Sequence, residues 1–182
     1  MKKKNISMKS KLIAEARKLY EENGLDAVNI RSLAAHLGVA TGTLYNYFSG
    51  KDEILMALTE EYWQSALDEM RESVPSDNFI NGLEYIIEFI RSRINSYGKL
   101  LMYSLKGNNS SAKSRMSSMQ NEYMKVILEL LEKDNSINKA IWTNSFSKEA
   151  FARFTIKNIL TLLNSSDSEI RFFIEIIRRI LY

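Results

Sequence analysis

The 182-residue chain has 45% hydrophobic residues and a formal net charge of +3, so it can build a hydrophobic core in one domain or two small ones. It has no cysteine, which excludes disulfides and thiolate metal sites, and its 1 proline and 7 glycines argue against a β-sandwich or a linker-rich protein. Long periodic runs of Leu, Ile, Lys, Glu and Met predict an all-α fold.

Positive charge is concentrated at the N-terminal end. Residues 1–52 hold nine of the 25 basic groups but only five of the 22 acidic ones. This imbalance fits a protein that touches a polyanion at one end. No apolar run reaches the length of a transmembrane helix, and no apolar segment follows Lys2, Lys3 and Lys4 as it would in a secretory signal. We therefore expect a cytoplasmic protein that does not enter a membrane.

The chain begins with a predicted basic arm over residues 1–7 and a first helix over residues 9–23. Leu12, Ala16 and Tyr20 recur at helical spacing on the inner face of this helix. Gly24 ends it. The helix is expected to support the short elements that follow.

Residues 29–48 contain two short helical patterns joined by a tight turn. Asn29 stands where a side-chain oxygen can cap the first helix, and Gly38 stands where a helix ends in a left-handed conformation. The apolar positions are Ile30, Leu33, Ala34 and Leu37 in the first helix and Leu44, Tyr45 and Phe48 in the second. This pattern predicts a helix–turn–helix, which places its second helix in the DNA major groove.

The second helix and its flanks carry groups that suit DNA contact. Threonine and asparagine can bond base edges, glycine permits close approach, tyrosine hydroxyls reach phosphates, and a lysine at a helix start binds a phosphate. The predicted DNA-binding residues are Arg31, Ser32, Thr41, Gly42, Thr43, Tyr45, Asn46, Tyr47 and Lys51. Ser49 and Asp52 have the spacing of a capping box for the next helix.

The first 55 residues resemble the TetR (tetracycline-repressor-like) family of bacterial transcriptional regulators. The resemblance rests on residues 22–25, 29–34, 38–48 and 51–55, together with Ala16 and Tyr20. The family usually has serine where Ala40 stands, and alanine is a weaker cap by about 1 kcal/mol. We therefore expect Thr41 to cap the second helix, which would then begin one residue later.

After a DNA-binding domain at residues 1–50, residues 51–182 predict a helical domain for effector binding and dimerisation. A long helix over 51–73 joins the two, and Pro75 marks the break that follows it. Further helices are predicted over 78–97 and 100–105, separated by Gly98. After a loop at 107–111 come helices over 112–133, 147–164 and 166–182, with one helical turn near Trp142. The fold would have about nine helices in all.

The last two helices are apolar on more than one side and so must be covered twice. A second copy of the chain is the simplest cover, giving a homodimer through a four-helix bundle. The other interpretation is a buried central pair in a monomer. The resemblance also implies a dimer. The predicted interface residues are Phe151, Ile159, Leu163, Phe173, Ile177 and Ile180.

Aromatic and methionine residues in the middle helices suit a cavity for a small apolar or aromatic ligand, although such residues also build ordinary cores. The candidates are Tyr85, Phe89, Met102, Tyr103, Met119, Tyr123 and Trp142. That this region encloses an effector pocket is implied by the resemblance.

The resemblance implies ligand-controlled DNA binding, usually repression, at a palindromic operator, with the joining helix as the lever. We expect no enzyme, cofactor or metal, because the chain has one histidine, no Gly-rich phosphate loop and no HExxH or GxSxG motif. The alternatives are an architectural DNA-binding protein and a helical protein-interaction module without a small-molecule ligand.

Overall fold

The computed structural model describes the backbone of residues 2–106 and 110–182, and the side chains of residues 8–94 and 117–182. Over the described backbone the chain forms eight α-helices and no strand, which confirms the all-α prediction. The helices are α1 (Lys2–Asn23), α2 (Ile30–Leu37), α3 (Thr41–Tyr45), α4 (Lys51–Ser73), α5 (Phe79–Lys106), α6 (Ser110–Lys133), α7 (Lys148–Leu162) and α8 (Asp167–Leu181). Single 3-10 turns lie at Leu25–Ala27 and Lys139–Ile141.

The chain divides into two compact units, and the division falls inside α4. The first unit comprises Met1–Gln64 and Tyr97–Ala112, and the second comprises Ser65–Ser96 and Lys113–Tyr182. The first compact unit therefore contains the first half of α4 together with the helix–turn–helix. The functional division at residues 50 and 51 stays a prediction.

The core of the first unit is built from α1, α2, α3 and the start of α4. Leu33, Leu44 and Phe48 are completely enclosed in it. Because α2 and α3 have only eight and five residues, they depend on this burial for their stability. The buried apolar residues of this core are Leu12, Ala16, Leu19, Val28, Ile30, Leu33, Ala34, Leu44, Phe48, Ile54, Leu55, Ala57 and Leu58.

Both ends of α2 are formed as predicted. The Asn29 side chain accepts a hydrogen bond from the Ser32 backbone N–H at 3.0 Å. Gly38 ends the helix in the left-handed conformation, with φ 65°, and Gly24 takes φ 78° after α1. These local signals fix where the turn of the helix–turn–helix begins.

The cap of α3 differs from the prediction, and α4 has a cap bond from a residue that was not predicted. α3 begins at Thr41 with Ala40 at the cap position and no side-chain cap bond, so Thr41 does not take over as the cap. At the start of α4, the Ser49 backbone N–H donates to the Glu53 side chain at 2.7 Å, so Glu53 takes part in the cap of α4.

Helix lengths also differ at two places. α1 extends back to Lys2, which corrects the predicted arm over residues 1–7. α5 runs through Gly98 without a break, so the two predicted helices are one. A glycine inside a helix costs only about 1 kcal/mol, which the surrounding turns offset. The predicted loop at 107–111 lies partly outside the described residues. The predicted turn before Trp142 is the second 3-10 turn.

In the second unit, α5 and α6 pack closely at Gly82. A Cβ atom on Gly82 would lie 2.7 Å from Leu130 Cδ1 and 2.9 Å from the Pro75 carbonyl oxygen. Only a residue without a side chain allows this approach. Ser147 caps α7, and Ser166 with Glu169 forms a capping box at α8.

Asp134 joins three parts of the second unit although it is a buried acid. Its carboxylate accepts from the Phe79 backbone N–H at 2.9 Å, from the Ser136 backbone N–H at 2.8 Å and from the Tyr182 hydroxyl. Burial alone would raise the pKa of Asp134, but these hydrogen bonds outweigh it and lower the pKa to about 2. The carboxylate therefore stays ionised and ties the start of α5 to the ends of α6 and α8.

Across the described residues, none of the helices is both long enough and apolar enough to cross a membrane.

Candidate nucleic-acid interface

Helix α3 has one buried and one exposed face. Leu44 and Phe48 are completely buried, whereas Tyr45 is 59% exposed although it is large and aromatic. Thr41, Gly42, Thr43 and Asn46 are also exposed. The outer face therefore presents two threonines, an amide and a phenol to a ligand outside the unit.

Gly42 lies in open space. A Cβ atom built on it would meet nothing within 4 Å. Packing within the chain therefore does not require glycine here, in contrast to Gly82. Close approach by an external partner remains a reason for a residue without a side chain.

The other predicted DNA-binding residues lie on α2, just after α3 and at the start of α4. Arg31 is exposed on α2, and it pairs with no carboxylate of the described residues. Ser32 and Lys51 are half-buried. Tyr47 is half-buried and packs against the core of the first unit, so its ring has a structural role that the prediction did not include.

Two lysines near the start of α4 are held by carboxylates. Lys51 Nζ lies 3.7 Å from Asp26 Oδ1, in the 3-10 turn before α2. Lys9 Nζ lies 3.8 Å from Glu53 Oε1 and 5.4 Å from the centre of the Phe48 ring. Neither Lys9 nor Asp26 was among the residues predicted for the DNA-binding site. Lys9 shares the inner face of α1 with Leu12 and Ala16, which is a signal that the sequence does contain.

His36 links α2 to α1 through a side-chain contact at the surface. Its Nε2 lies 3.3 Å from Glu15 Oε2, and Glu15 also accepts from Lys18 at 2.9 Å. The Lys18 bond, followed by His36, lowers the pKa of Glu15. No group of three or more metal-binding side chains occurs among the described residues.

The predicted pocket residues fall into two aromatic groups. Tyr85 stacks on Phe89 with ring centres 5.9 Å apart, and the Arg93 guanidinium lies 4.8 Å from the centre of the Phe89 ring. Trp142 instead stacks on Phe146 at 5.7 Å and meets Phe151 edge-on.

The rest of the predicted pocket set is only partly described. Tyr123 is buried and Met119 is half-buried. The side chains of Met102 and Tyr103 lie outside the described residues.

The predicted dimer residues divide between core and surface. Phe151, Ile159, Phe173 and Ile177 are at most 6% exposed, so they pack in the core of their own chain, and their place in a dimer interface stays a prediction. Leu163 and Ile180 are half-buried.

Other apolar residues of α7 and α8 face outward. Phe154, Phe172 and Ile176 are 48%, 67% and 38% exposed. Phe172, Ile176 and Ile180 recur every four residues and so form a second stripe along α8.

Comparison with known proteins finds a sequence family that matches part of the first unit. The sequence profile "Bacterial regulatory proteins, tetR family" matches residues 12–58. Among the residues whose side chains the structure describes, the buried core of this unit also runs from Leu12 to Leu58.

One curated relative matches along nearly the whole chain. The "Uncharacterized HTH-type transcriptional regulator YvdT" of Bacillus subtilis is 27% identical over 177 residues, covering 96% of this chain and 87% of the relative.

Solved structures share the fold along most of the chain. A transcriptional regulator of the TetR/AcrR family from Thermobifida fusca has a TM-score of 0.61 at 16% identity, covering 95% of both chains. The transcriptional regulator FadR from Bacillus subtilis, solved in complex with stearoyl-CoA, has a TM-score of 0.59 at 20% identity, covering 87% of this chain and 86% of that one.

Proposed function

Because the chain belongs to the TetR family of bacterial transcriptional regulators, we propose that it binds a palindromic operator as a homodimer and represses transcription until a small molecule releases it. The observation that carries the DNA part is the exposed face of α3. Its polar side chains surround a helix that Leu44 and Phe48 anchor in the core. An anchored helix with an exposed hydrogen-bonding face is what major-groove readout requires.

A second set of residues would position the protein on the backbone. Arg31 and Lys51 supply the charge for phosphate contacts, and the Tyr45 hydroxyl supplies a neutral donor. Thr41, Thr43 and Asn46 are then the residues that discriminate bases.

The homodimer is supported by the second apolar stripe of α8. Phe172 is two-thirds exposed although phenylalanine is usually buried, and Ile176 and Phe154 extend the apolar surface. A surface of this kind on two neighbouring helices suits a two-fold interface made by two copies of the same helices. A two-fold dimer would carry two α3 helices, and this is why a palindromic operator is proposed.

The effector is proposed to be small and apolar or aromatic, bound among Tyr85, Phe89, Met119 and Tyr123. These residues combine stacked rings with a flexible thioether, a combination that adapts to apolar ligands. FadR of Bacillus subtilis, which shares the fold, was crystallised with stearoyl-CoA, so an acyl-CoA is a suitable first ligand to test. Release would require the ligand to bind better to the state that does not hold DNA.

The DNA proposal is tested by binding to the DNA upstream of the protein's own gene, compared with scrambled DNA at the same salt. Tight binding to the natural sequence should be lost in Tyr45→Ala and in Lys51→Ala. Glu132→Gln, an exposed change on α6, is the control and should bind as the wild type does. Equal, weak binding to both DNAs by every protein would contradict a specific regulator and favour the interaction-module alternative.

The dimer proposal is tested by light scattering on Phe172→Glu combined with Ile176→Glu. We expect the wild type to be a dimer and this variant a folded monomer, because a charge on each side of the interface is costly to bury. Met8→Glu places one such charge on an exposed apolar residue of the first unit and should leave the dimer intact. A dimeric double variant would show that the α8 stripe is not the interface.

The ligand proposal is tested by titrating stearoyl-CoA into the DNA complex, with free CoA as the control. We expect the acyl-CoA to weaken DNA binding and free CoA to have no effect. Tyr85 is half-buried, and Tyr85→Ala should reduce the effect of stearoyl-CoA on DNA binding. If neither stearoyl-CoA nor any of a panel of aromatic compounds changes the DNA affinity, the ligand part of the proposal is wrong.

A further inference from the structure

We propose that Asp26 limits the strength of DNA binding by holding the Lys51 ammonium that would otherwise contact a phosphate. This rests on the proposed function, in which Lys51 is a phosphate contact. Asp26 is thus a residue that opposes DNA binding and acts through Lys51.

The two groups come from separate elements and meet at the surface. Asp26 lies in the 3-10 turn between α1 and α2, and its Oδ1 is 3.7 Å from Nζ of Lys51, the first residue of α4. The Asp26 side chain is fully exposed, with a relative accessibility of 106%, whereas that of Lys51 is 33% exposed. The carboxylate is therefore in solvent, where an approaching phosphate would also lie.

The fold does not depend on this carboxylate. An exposed side chain buries no apolar surface, and exposed ion pairs contribute little to stability. Glu53 differs, because besides its pairing with Lys9 it accepts the Ser49 N–H at 2.7 Å and so caps α4. Of these two acids beside the lysines, Asp26 is the one that can be neutralised without loss of a cap.

A phosphate and the Asp26 carboxylate would compete for one ammonium. If the phosphate displaces Asp26, the ion pair is lost. If both anions stay, they repel each other at a distance well within the screening length of about 10 Å at 0.1 M salt. Either way part of the attraction between Lys51 and DNA is cancelled. Arg31 pairs with no carboxylate of the described residues and meets no such competition.

Neutralising Asp26 should therefore strengthen DNA binding. We expect Asp26→Asn to lower the Kd for duplex DNA about three- to tenfold at low salt, as is usual for releasing one charge contact. The gain should shrink as salt is raised, and the plot of log K against log salt should steepen by up to about 0.9, the value for one more neutralised phosphate.

The experiment titrates the full chain against a mixed-sequence DNA duplex, because phosphate contacts do not depend on sequence. It compares wild type, Asp26→Asn, Lys51→Met and the double variant. The gain from Asp26→Asn should disappear in the Lys51→Met background. Glu21→Gln on α1 changes the net charge equally and should alter Kd by less than about twofold, as expected for an exposed charge without a DNA contact.

The outcomes separate the two proposals. An equal gain with and without Lys51, or no gain from Asp26→Asn, overturns the inference while leaving DNA binding intact. If the wild type does not bind the duplex, or if Lys51→Met binds as tightly as wild type, the proposed phosphate contact fails and the inference fails with it.

Discussion

Replacing Asp134 by asparagine should destabilise the second unit more than any exposed change of the same kind. The carboxylate is 5% exposed and accepts hydrogen bonds from Phe79, Ser136 and Tyr182. An asparagine has nearly the same shape but only one accepting oxygen, and its amide group would face a donor. The Ser136 hydroxyl donates as well as the Ser136 backbone N–H, so at least one of four donors loses its partner.

The size of the effect follows from the lowered pKa of Asp134. A fall from 3.8 to about 2 corresponds to about 2 kcal/mol of stability that the ionised carboxylate provides. Because the folded-state pKa is the lower one, this contribution is complete well above pH 3.8 and is lost as the pH falls towards 2. About half of it should remain at pH 3.

Urea unfolding of wild type and Asp134→Asn from neutral pH down to pH 3 measures this difference directly. We expect a gap of about 2 kcal/mol at neutral pH that narrows as Asp134 becomes protonated in the wild type. Glu132→Gln makes the same chemical change two residues away at an exposed position and should shift stability by less than about 0.5 kcal/mol. A gap below that size at neutral pH, or one that stays constant with pH, would refute the role assigned to the carboxylate.

Glycines and a helix cap provide three further predictions. Gly82→Ala should lower the free energy of unfolding by about 1–3 kcal/mol, because its Cβ would meet Leu130 and the Pro75 carbonyl; an unchanged urea midpoint would contradict this. Gly42→Ala is the matched change in open space. It should keep or slightly raise stability but weaken DNA binding, so undiminished affinity would show that no DNA approaches this backbone. Ser166→Ala removes the capping box of α8 and should lower the free energy of unfolding by about 1 kcal/mol. An unchanged free energy of unfolding would show that the cap is dispensable.

The parts of the fold that the sequence predicted correctly depend on neighbouring residues. Asn29 caps α2 through a residue three positions later, and Gly38 ends α2 through its own backbone conformation. Neither effect needs knowledge of the rest of the chain. The predicted helix starts near residues 147 and 166 are also locally determined, since the caps found at Ser147 and Ser166 close within one helical turn.

The helix boundaries that were wrong depend on energies that local rules do not rank. Gly98 is a weak helix former, but one unfavourable residue does not interrupt a helix of 28 residues. At α3, the absence of a capping side chain at Ala40 is tolerated because Leu44 is buried by the other helices. Packing overrides local preference in both cases.

Which apolar side of a helix faces its own core also could not be predicted. Phe172 and Phe173 are adjacent and chemically identical, yet one is 67% exposed and the other 6%. Periodicity identifies both stripes of α8 but does not say which one the same chain covers. The Lys51–Asp26 and Lys9–Glu53 pairs were missed for a related reason, since each joins residues that are distant in sequence.

The bonds of Asp134 also bear on how fast the protein unfolds. They reach Phe79 and Tyr182, which lie 55 and 48 residues away along the chain, so they form only after α5, α6 and α8 have docked. Contacts between such distant residues tend to form after the folding transition state, because closing long loops comes first at an entropic cost. Loss of these bonds should then leave the folding rate nearly unchanged and speed unfolding by about 30-fold for 2 kcal/mol. The carboxylate would thereby set the lifetime of the native state against proteolysis when cleavage outpaces reclosing.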